Sequence, residues 1–535
     1  MAHEQENNAS FMHGAIILLI ANALVKVIGA VFKIPLTYVL GEEGMGYFST
    51  SYQMYTWMFI IATAGIPVAI SKMVSESRAK GRIYEVKRIF SVSFKLLSVI
   101  GIFGFLTLYF GADFFAKVLL KNSQAAPGIK AIAPAMLFVS FMSAYRGYFQ
   151  GHQNMVPTAV SEVAESIGKL LVGFLAAFAI KEWFGFGIEI SSAGAVFGVS
   201  FGAAIGCGVL VFIYLRNKKK QNFDCNEIGV SESDGALLKK LIKIAVPITI
   251  GASVFSLTSL IDMAMIMRRL QAGGFSEMEA NKLWGSYSGF AFPLFNLPPT
   301  LINAITISIV PAIASAFASG NSQGASHTTC KSMKITVLFS LPCALGMSLL
   351  AEPILNLVYG KTHAAQTLEI LSLGIVFVSL VLVTNAILQA TGNTVVPVKN
   401  MLIGGVLKVV INYFLVAHPE VNIKGAPIGT TVCYIVILAL NIIDMKRHMK
   451  IKFPIGELVV KPLISSLVMC VVILVLQPFT SGMGRVLSCA LPIAVGGISY
   501  LLTIVVLKGI NEEDIELLPK AEKMMKICKK IKIIR

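Results

Sequence analysis

Arg146-Gly147-Tyr148-Phe149-Gln150-Gly151-His152-Gln153-Asn154-Met155-Val156-Pro157 decides the fold, because the chain uses this segment twice. About 240 residues later stands Leu388-Gln389-Ala390-Thr391-Gly392-Asn393-Thr394-Val395-Val396-Pro397. Each copy has an aromatic residue or Leu, then Gln, a small-polar turn with Asn, a Val, and a Pro that opens the next helix. Both copies lie between long apolar runs. An internal repeat in a hydrophobic chain predicts a two-lobed transporter with its substrate path between the lobes.

Working outward, the 535 residues are 56% hydrophobic and only 14% charged, and mean hydropathy is +0.76. A soluble domain carries about 25% charged residues, so that class is excluded. Apolar stretches recur along the whole length and predict an all-α polytopic membrane protein. The first, 11–33, holds Lys26 and shows no small-residue cleavage site, so it reads as a retained span. Net charge is +17. The Lys and Arg fall in short loops between spans, which argues for membrane topology and against nucleic-acid binding. The eight Cys form no CxxC or His/Cys cluster, so neither a metal site nor a cofactor is expected.

About fourteen helices are expected, each needing roughly 20 residues to cross the hydrocarbon. The first six fall near 11–33, 47–70, 91–112, 131–150, 156–180 and 190–215. The next six fall near 240–267, 287–315, 333–356, 367–389, 398–417 and 424–444, with two more near 459–478 and 485–508. The basic stretches 71–90, 216–243 and 446–452 fall on one side if the helices alternate, whereas 34–46 has no Lys or Arg. The positive-inside rule then puts both termini in the cytoplasm.

The repeat extends further. Ala64-Gly65-Ile66-Pro67 closes the second expected span and Val310-Pro311-Ala312-Ile313 the eighth; Tyr47 and Tyr287 open them. The unit is six helices in a parallel repeat. The expected division is an N-lobe at 1–216, a basic linker at 217–238 and a C-lobe at 239–445, then two added helices within 446–510. A basic amphipathic tail at 511–535 is expected to lie on the inner leaflet.

These residues resemble a known family. Arg146 to Gly151 with Met155-Val156-Pro157-Thr158-Ala159-Val160-Ser161 is similar to the signature of stage V sporulation protein B and the MurJ-type lipid II flippases. Ala64 to Lys72, Leu40-Gly41-Glu42-Glu43-Gly44, and Leu388 to Asn393 fit the same group. That family lies in the multidrug/oligosaccharidyl-lipid/polysaccharide exporter superfamily. The resemblance implies a MATE-like fold of two six-helix lobes with two added helices. It also implies alternating access carrying an undecaprenyl-pyrophosphate-linked sugar to the outer leaflet of the bacterial plasma membrane.

Charges inside spans are costly and mark cavities or partners. Lys26 lies midway along the first expected helix, at a place where the resembled flippases use Arg, and Lys loses the bidentate phosphate contact; Lys33 lies nearer the outer end, facing the cavity or snorkelling to the surface. The eighth expected helix, where those flippases also place an Arg, offers only Asn296 and Asn303. Glu162, Glu165 and Lys169 share one face of the fifth, either as a stripe that binds sugar or carries protons, or as a network paired with Lys26 or Arg146. Arg146 is expected at the cytoplasmic end of the fourth, facing an incoming phosphate or a lipid headgroup. Some of the resembled flippases bind sodium between the seventh, eleventh and twelfth helices. Here Asp262, Lys408, Asn412 and Thr430 stand at those places, and the Lys408 ammonium is expected to replace the cation and pair with Asp262.

The leading function is therefore a flippase for lipid II or a related precursor, a monomer whose partners are the lipid-linked oligosaccharide and membrane lipids. Coupling to membrane potential or to an ion gradient is left open. The alternatives are an exporter of another lipid-linked polysaccharide unit and a MATE-type multidrug antiporter. A membrane-embedded glycosyltransferase, and with it an enzyme, is disfavoured because the outward loops near 113–130 and 268–286 are short and lack a catalytic constellation.

Overall fold

A computed structural model describes residues 2–220, 232–319, 321–449 and 453–509. The tail expected at 511–535 and half of the linker thus lie outside the described residues. Among the described residues regular structure is helical throughout, as a chain surrounded by hydrocarbon requires, since a helix satisfies its own backbone.

The first long helix, α1, runs Ala2–Thr63 and carries both of the first two expected spans. The outward loop expected at 34–46 is helical on either side of a single break, Gly41, at φ 62° and ψ −165°. That conformation costs a side-chain-bearing residue dearly, so glycine bends the chain without unwinding it. Then come α2 (Ile66–Ala79), α3 (Ile83–Phe114), α4 (Ala126–Ile132), α5 (Ala135–Gly151), α6 (Val156–Phe178), α7 (Ile188–Lys220), α8 (Asp234–Ala272) and α9 (Glu277–Gly285).

After a π turn at Ser286–Ala291 follow α10 (Phe292–Phe295), α11 (Leu297–Ala318), α12 (Ser322–Leu349), α13 (Ala351–Tyr359), α14 (Ala365–Leu373) and α15 (Ile375–Ala390). The last four are α16 (Val395–Leu415), α17 (Gly425–Met449), α18 (Lys461–Thr480) and α19 (Gly484–Val506). Ten helical stretches among the described residues are long and apolar enough to span a membrane, or eleven if α14 and α15, bent by 41°, count as one. That is short of the fourteen expected. α1 joins two expected spans, and the eighth is interrupted at Asn296 between α10 and α11.

The chain divides into two compact units, Met1–Gln271 with Phe275–Gly285, and Ala272–Gly274 with Ser286–Arg535. In the first unit, Ile66, Ile70 and Met73 of α2 pack with Ile89 and Leu97 of α3, Ala144 of α5, and Leu237 and Leu241 of α8. Ion pairs Arg88–Asp234, and Lys240–Glu76 at 3.4 Å, tie the start of α8 to α3 and α2. At its far end Arg268 Nη2 donates to the Val118 carbonyl at 2.8 Å. Along its length Gly65 lies so close to the Ala245 carbonyl and Thr249 that a Cβ would not fit.

The short α9 docks on the same unit. Asn122 Nδ2 donates to Asn281 Oδ1 at 2.8 Å, and Asn281 Nδ2 to the Glu43 carbonyl at 2.8 Å. Its start is a capping box: Ser276 N donates to Glu279 Oε2 at 2.9 Å and Glu279 N to Ser276 Oγ at 3.2 Å. The Ser276 backbone N–H and hydroxyl hold the Glu279 carboxyl below the usual carboxylate range.

α6 and α7 form the tightest pair of the first unit. Gly198, Gly202 and Gly206 of α7, one turn apart, face the α6 backbone; a Cβ on Gly202 would stand 2.8 Å from Lys169 N. Small residues at this spacing let two membrane helices touch backbone to backbone.

In the second unit, Ile302 and Ile313 of α11, Met333 and Val337 of α12, Leu380 and Ile387 of α15 and Ile437 of α17 make the core. α18 and α19 attach to α12, where Tyr500 Oη donates to the Leu338 carbonyl at 2.7 Å. Phe103 and Phe110 of α3, and Val471 and Val506 of the last two helices, are exposed, which suits contact with lipid.

The repeated segment forms the same corner in each unit, with three matching backbone bonds. His152 N reaches the Tyr148 carbonyl at 3.2 Å, Gln153 N that of Gln150 at 2.9 Å, and Asn154 N that of Phe149 at 3.0 Å. In the second copy Thr391 N reaches Ile387 at 3.1 Å, Gly392 N reaches Gln389 at 3.1 Å, and Asn393 N reaches Leu388 at 2.9 Å. Pro157 then stands in the first turn of α6 and Pro397 in that of α16, a place where the missing N–H costs nothing.

Candidate functional site

α5, α6 and α1 bring the charged residues of the first unit together. Arg146 leaves the last turns of α5 toward α6, where Nη2 meets Glu165 Oε2 at 2.9 Å. Its Nε and Nη2 both donate to Ser161 Oγ at 3.3 Å, and Ser161 Oγ donates in turn to the Thr158 carbonyl at 2.7 Å. A guanidinium, with five donors in a rigid fork, can serve a carboxylate and a hydroxyl at once. Glu162, one turn before Glu165, faces the same guanidinium, and its Oε2 is buried with no hydrogen-bond partner.

Lys169 follows on the same face of α6. Its ammonium lies 3.4 Å from Tyr52 Oη and 4.5 Å from the centroid of the Tyr52 ring. Tyr52 belongs to a row of rings on α1 with Phe48, Tyr55 and Phe59. Lys33, also on α1, lies close enough to Lys169 for the two ammonium groups to repel. Among the described residues neither makes an ion pair. The side chain of Lys26 lies outside the described residues.

The other expected residues belong to other helices. Asn296 spends its amide on the Phe292 carbonyl, 2.9 Å away, at the break between α10 and α11. Asn303 is half-buried on α11. Asp262, 7% exposed, is part of the first unit. Lys408, Asn412 and Thr430 are in the second, where Asn412 is fully buried against Gly429, and Thr430 Oγ1 returns to the Ala426 carbonyl at 2.8 Å.

The second unit also holds a polar network that reading the sequence missed. Asn441 of α17 donates to Thr384 Oγ1 at 2.9 Å and to Asn385 Oδ1 at 2.8 Å, both on α15. Asn400 of α16 donates to Asn441 Oδ1 and to Asp444 Oδ2, each at 2.9 Å. Asn385 stands four residues before Gln389 as Arg146 stands four before Gln150. Asn385 Nδ2 reaches Met401 Sδ at 3.5 Å, and Met401 stands four past Pro397 as Ser161 stands four past Pro157. The two corners thus send a polar side chain to the same station on the next helix. Three Asn within apolar runs were the available signal; the charged residues drew attention from them.

Helices of this length and apolarity, with charge gathered inside a helical unit, define a multi-pass membrane protein. Residues 11–317, more than half of the chain, match the polysaccharide biosynthesis protein family, and the chain belongs to that family. Residues 247–414 also match the MatE family. The lipid II flippase MurJ of Bacillus subtilis (strain 168) is 28% identical over 458 residues, 82% of this chain and 83% of that protein. Stage V sporulation protein B of the same organism is 25% identical over 517 residues, 95% of this chain and 98% of that one. A solved lipid II flippase MurJ in an inward closed conformation superposes with a TM-score of 0.71 at 15% identity, covering 92% of this chain and 98% of that one. An inward-facing MATE multidrug resistance transporter gives 0.62 at 14% identity, covering 79% and 98%. The MurJ and MATE folds are the neighbours of this one.

Proposed function

We propose that the protein is a flippase that moves an undecaprenyl-pyrophosphate-linked cell-wall precursor, lipid II or a related one, from the inner to the outer leaflet of the bacterial plasma membrane. The observation that carries this reading is the approach of Lys33 and Lys169, neither of which makes an ion pair among the described residues. Two ammonium groups held close repel, and a bridging pyrophosphate relieves that repulsion as it is desolvated. Tyr52, with a ring under one ammonium and a hydroxyl beside it, adds a surface suited to a sugar.

The protein works by alternating access as a monomer, with about fourteen transmembrane helices, as two six-helix lobes and two added helices, and with both termini in the cytoplasm. The likeness to lipid II flippase MurJ and to stage V sporulation protein B supports the substrate class. The MatE match over 247–414 supports a second reading, export of a free cationic drug. Two ammonium groups brought together in the first unit disfavour a cation as cargo.

Complementation of a bacterium depleted of its lipid II flippase, with outer-leaflet lipid II measured directly, tests the proposal. Growth with restored outer-leaflet lipid II is the expected outcome. Normal membrane insertion without restoration rejects lipid II as cargo, and restored drug efflux in its place selects the antiporter.

A further inference from the structure

The loop that joins α6 to α7 reads Lys181-Glu182-Trp183-Phe184-Gly185-Phe186-Gly187. Its three aromatic residues all stand out of the protein: Trp183 is 75% exposed, Phe184 67% and Phe186 59%. The backbone holds them there. α6 ends in a π turn at Ala179–Trp183. Phe184 N then donates to the Ala179 carbonyl at 3.1 Å, and Phe186 N to that of Ile180 at 3.2 Å. Gly185, between the two rings, has φ 65°, a conformation open to glycine at no cost. The Lys181 ammonium is engaged with the Val39 carbonyl of α1, at 2.5 Å. Three large rings left in water are unfavourable, and an exposed apolar patch of this kind marks a contact surface.

Two features select lipid as the occupant. The patch continues a face of α6 suited to hydrocarbon. Ile167, Leu171, Leu175 and Phe178, at spacings of three and four, are exposed along that face. Trp183 meets Phe178 edge-on, with 6.2 Å between ring centroids. The matching loop of the repeat, between α16 and α17, has no such patch. It reads Val416-Ala417-His418-Pro419-Glu420-Val421-Asn422-Ile423-Lys424, without one aromatic ring, and His418, Pro419 and Glu420 are exposed. A connection between such helices therefore does not itself need rings. An indole, with an apolar body and one N–H donor, belongs where the headgroups meet the chains.

We propose that the α6–α7 loop is a membrane anchor, with Trp183, Phe184 and Phe186 seated in the lipid interface, and that the α16–α17 loop stands in water. The leaflet is the outer one, into which the cargo is released. That assignment rests on the topology and the flippase reading above; the seating in lipid does not.

Trp183 reports its own surroundings. The purified full-length chain is placed in liposomes of phosphatidylglycerol and phosphatidylethanolamine. Subtracting the emission of Trp183→Phe from that of the wild type separates Trp183 from the two other tryptophans of the chain. Lipids brominated near the glycerol end of the chain should quench this signal several-fold more than lipids brominated near the methyl end. Iodide in the buffer should quench it several-fold less than it quenches free tryptophan. A signal open to iodide and indifferent to brominated lipid overturns the proposal. Protection from both quenchers means that protein covers the loop, a second copy of the chain in a purified sample, and overturns it too. Stronger quenching from the methyl end overturns the interfacial depth. On intact bacteria a membrane-impermeant maleimide should label Glu420→Cys, and Phe184→Cys several-fold more slowly, with the wild type as blank for the native cysteines. Equal rates overturn the contrast between the loops. Glu420→Cys labelled only after the cells are opened overturns the outer leaflet and the topology, and the quenching still decides the anchor.

Discussion

Gln153 and Gly392 occupy the same place in two copies of one corner, and both have positive φ, 59° and 87°. The first copy puts a side chain where the second uses glycine. The left-handed region costs a residue with a Cβ about 1–2 kcal/mol, and glycine nothing. The first corner therefore carries strain that the second lacks. Gly392→Ala should destabilise by about 1 kcal/mol through the backbone alone, since a Cβ there meets open space. Gln153→Gly should be neutral or stabilising by a similar amount. Thermal unfolding in detergent reads both, and a stabilising Gly392→Ala would contradict the account.

Arg146 and Glu165 form a half-buried pair, with side chains 15% and 23% exposed. Removing one partner strands the other. Arg146→Gln should cost about 1–3 kcal/mol, and adding Glu165→Gln should recover most of it. A double-mutant cycle with coupling near zero would show that the pair is incidental.

Lys33 and Lys169 define the anion site proposed here. Lys169→Gln should weaken lipid II binding about tenfold, roughly 1.4 kcal/mol, with a smaller effect on the rate at saturation. Lys169→Arg should retain most binding. Lys33→Gln should behave like Lys169→Gln, and the double variant should lose little more, because the two cations act on one pyrophosphate. Binding that is unchanged in all three rejects the site.

Asn441 sits at the centre of a buried network and makes two donor bonds and one acceptor bond. Asn441→Leu leaves Asn400, Asn385 and Thr384 with unmet groups and should cost about 2–3 kcal/mol. Asn441→Asp, which keeps the acceptor and loses the donors, should not rescue it. Denaturation of the purified protein measures the difference; a cost below that of an ordinary surface substitution would rule out a structural role.

His152 caps the first corner, with Nδ1 2.9 Å from the Tyr148 carbonyl and its ring 4.3 Å from the Tyr148 ring. Burial, with Arg78 nearby, pushes its imidazole below the ordinary value. The unfolded chain takes up a proton near pH about 6.5, which the folded chain resists until lower pH. Stability should therefore be flat above that pH and fall as pH drops below it. His152→Gln should flatten part of this slope, and an unchanged slope would assign it to other groups.

Much of this was legible in the residues. The doubled Gln-turn-Pro segment predicted a repeat, and the structure repeats its backbone hydrogen bonds residue by residue, because turn geometry is set locally by a few residues and one proline. Apolar runs gave the helical class because hydrocarbon leaves the backbone no alternative. The spacing of Glu162, Glu165 and Lys169 put them on one face, since the helical period is fixed.

What only the tertiary structure decided is which groups meet. Arg146 lies 15 residues from Ser161 in the chain, across the corner, and chooses Glu165 over Glu162 only because α5 and α6 close at that angle. Lys33 and Lys169 approach because α1 packs directly on α6, and nothing in either lysine's neighbourhood in sequence announces the other. Asn385, Asn400 and Asn441 read as isolated polar residues until three helices bring them within hydrogen-bond reach. Local sequence fixes the period and the corners; partner choice depends on helix packing between residues far apart in the chain, and that packing is settled by shape.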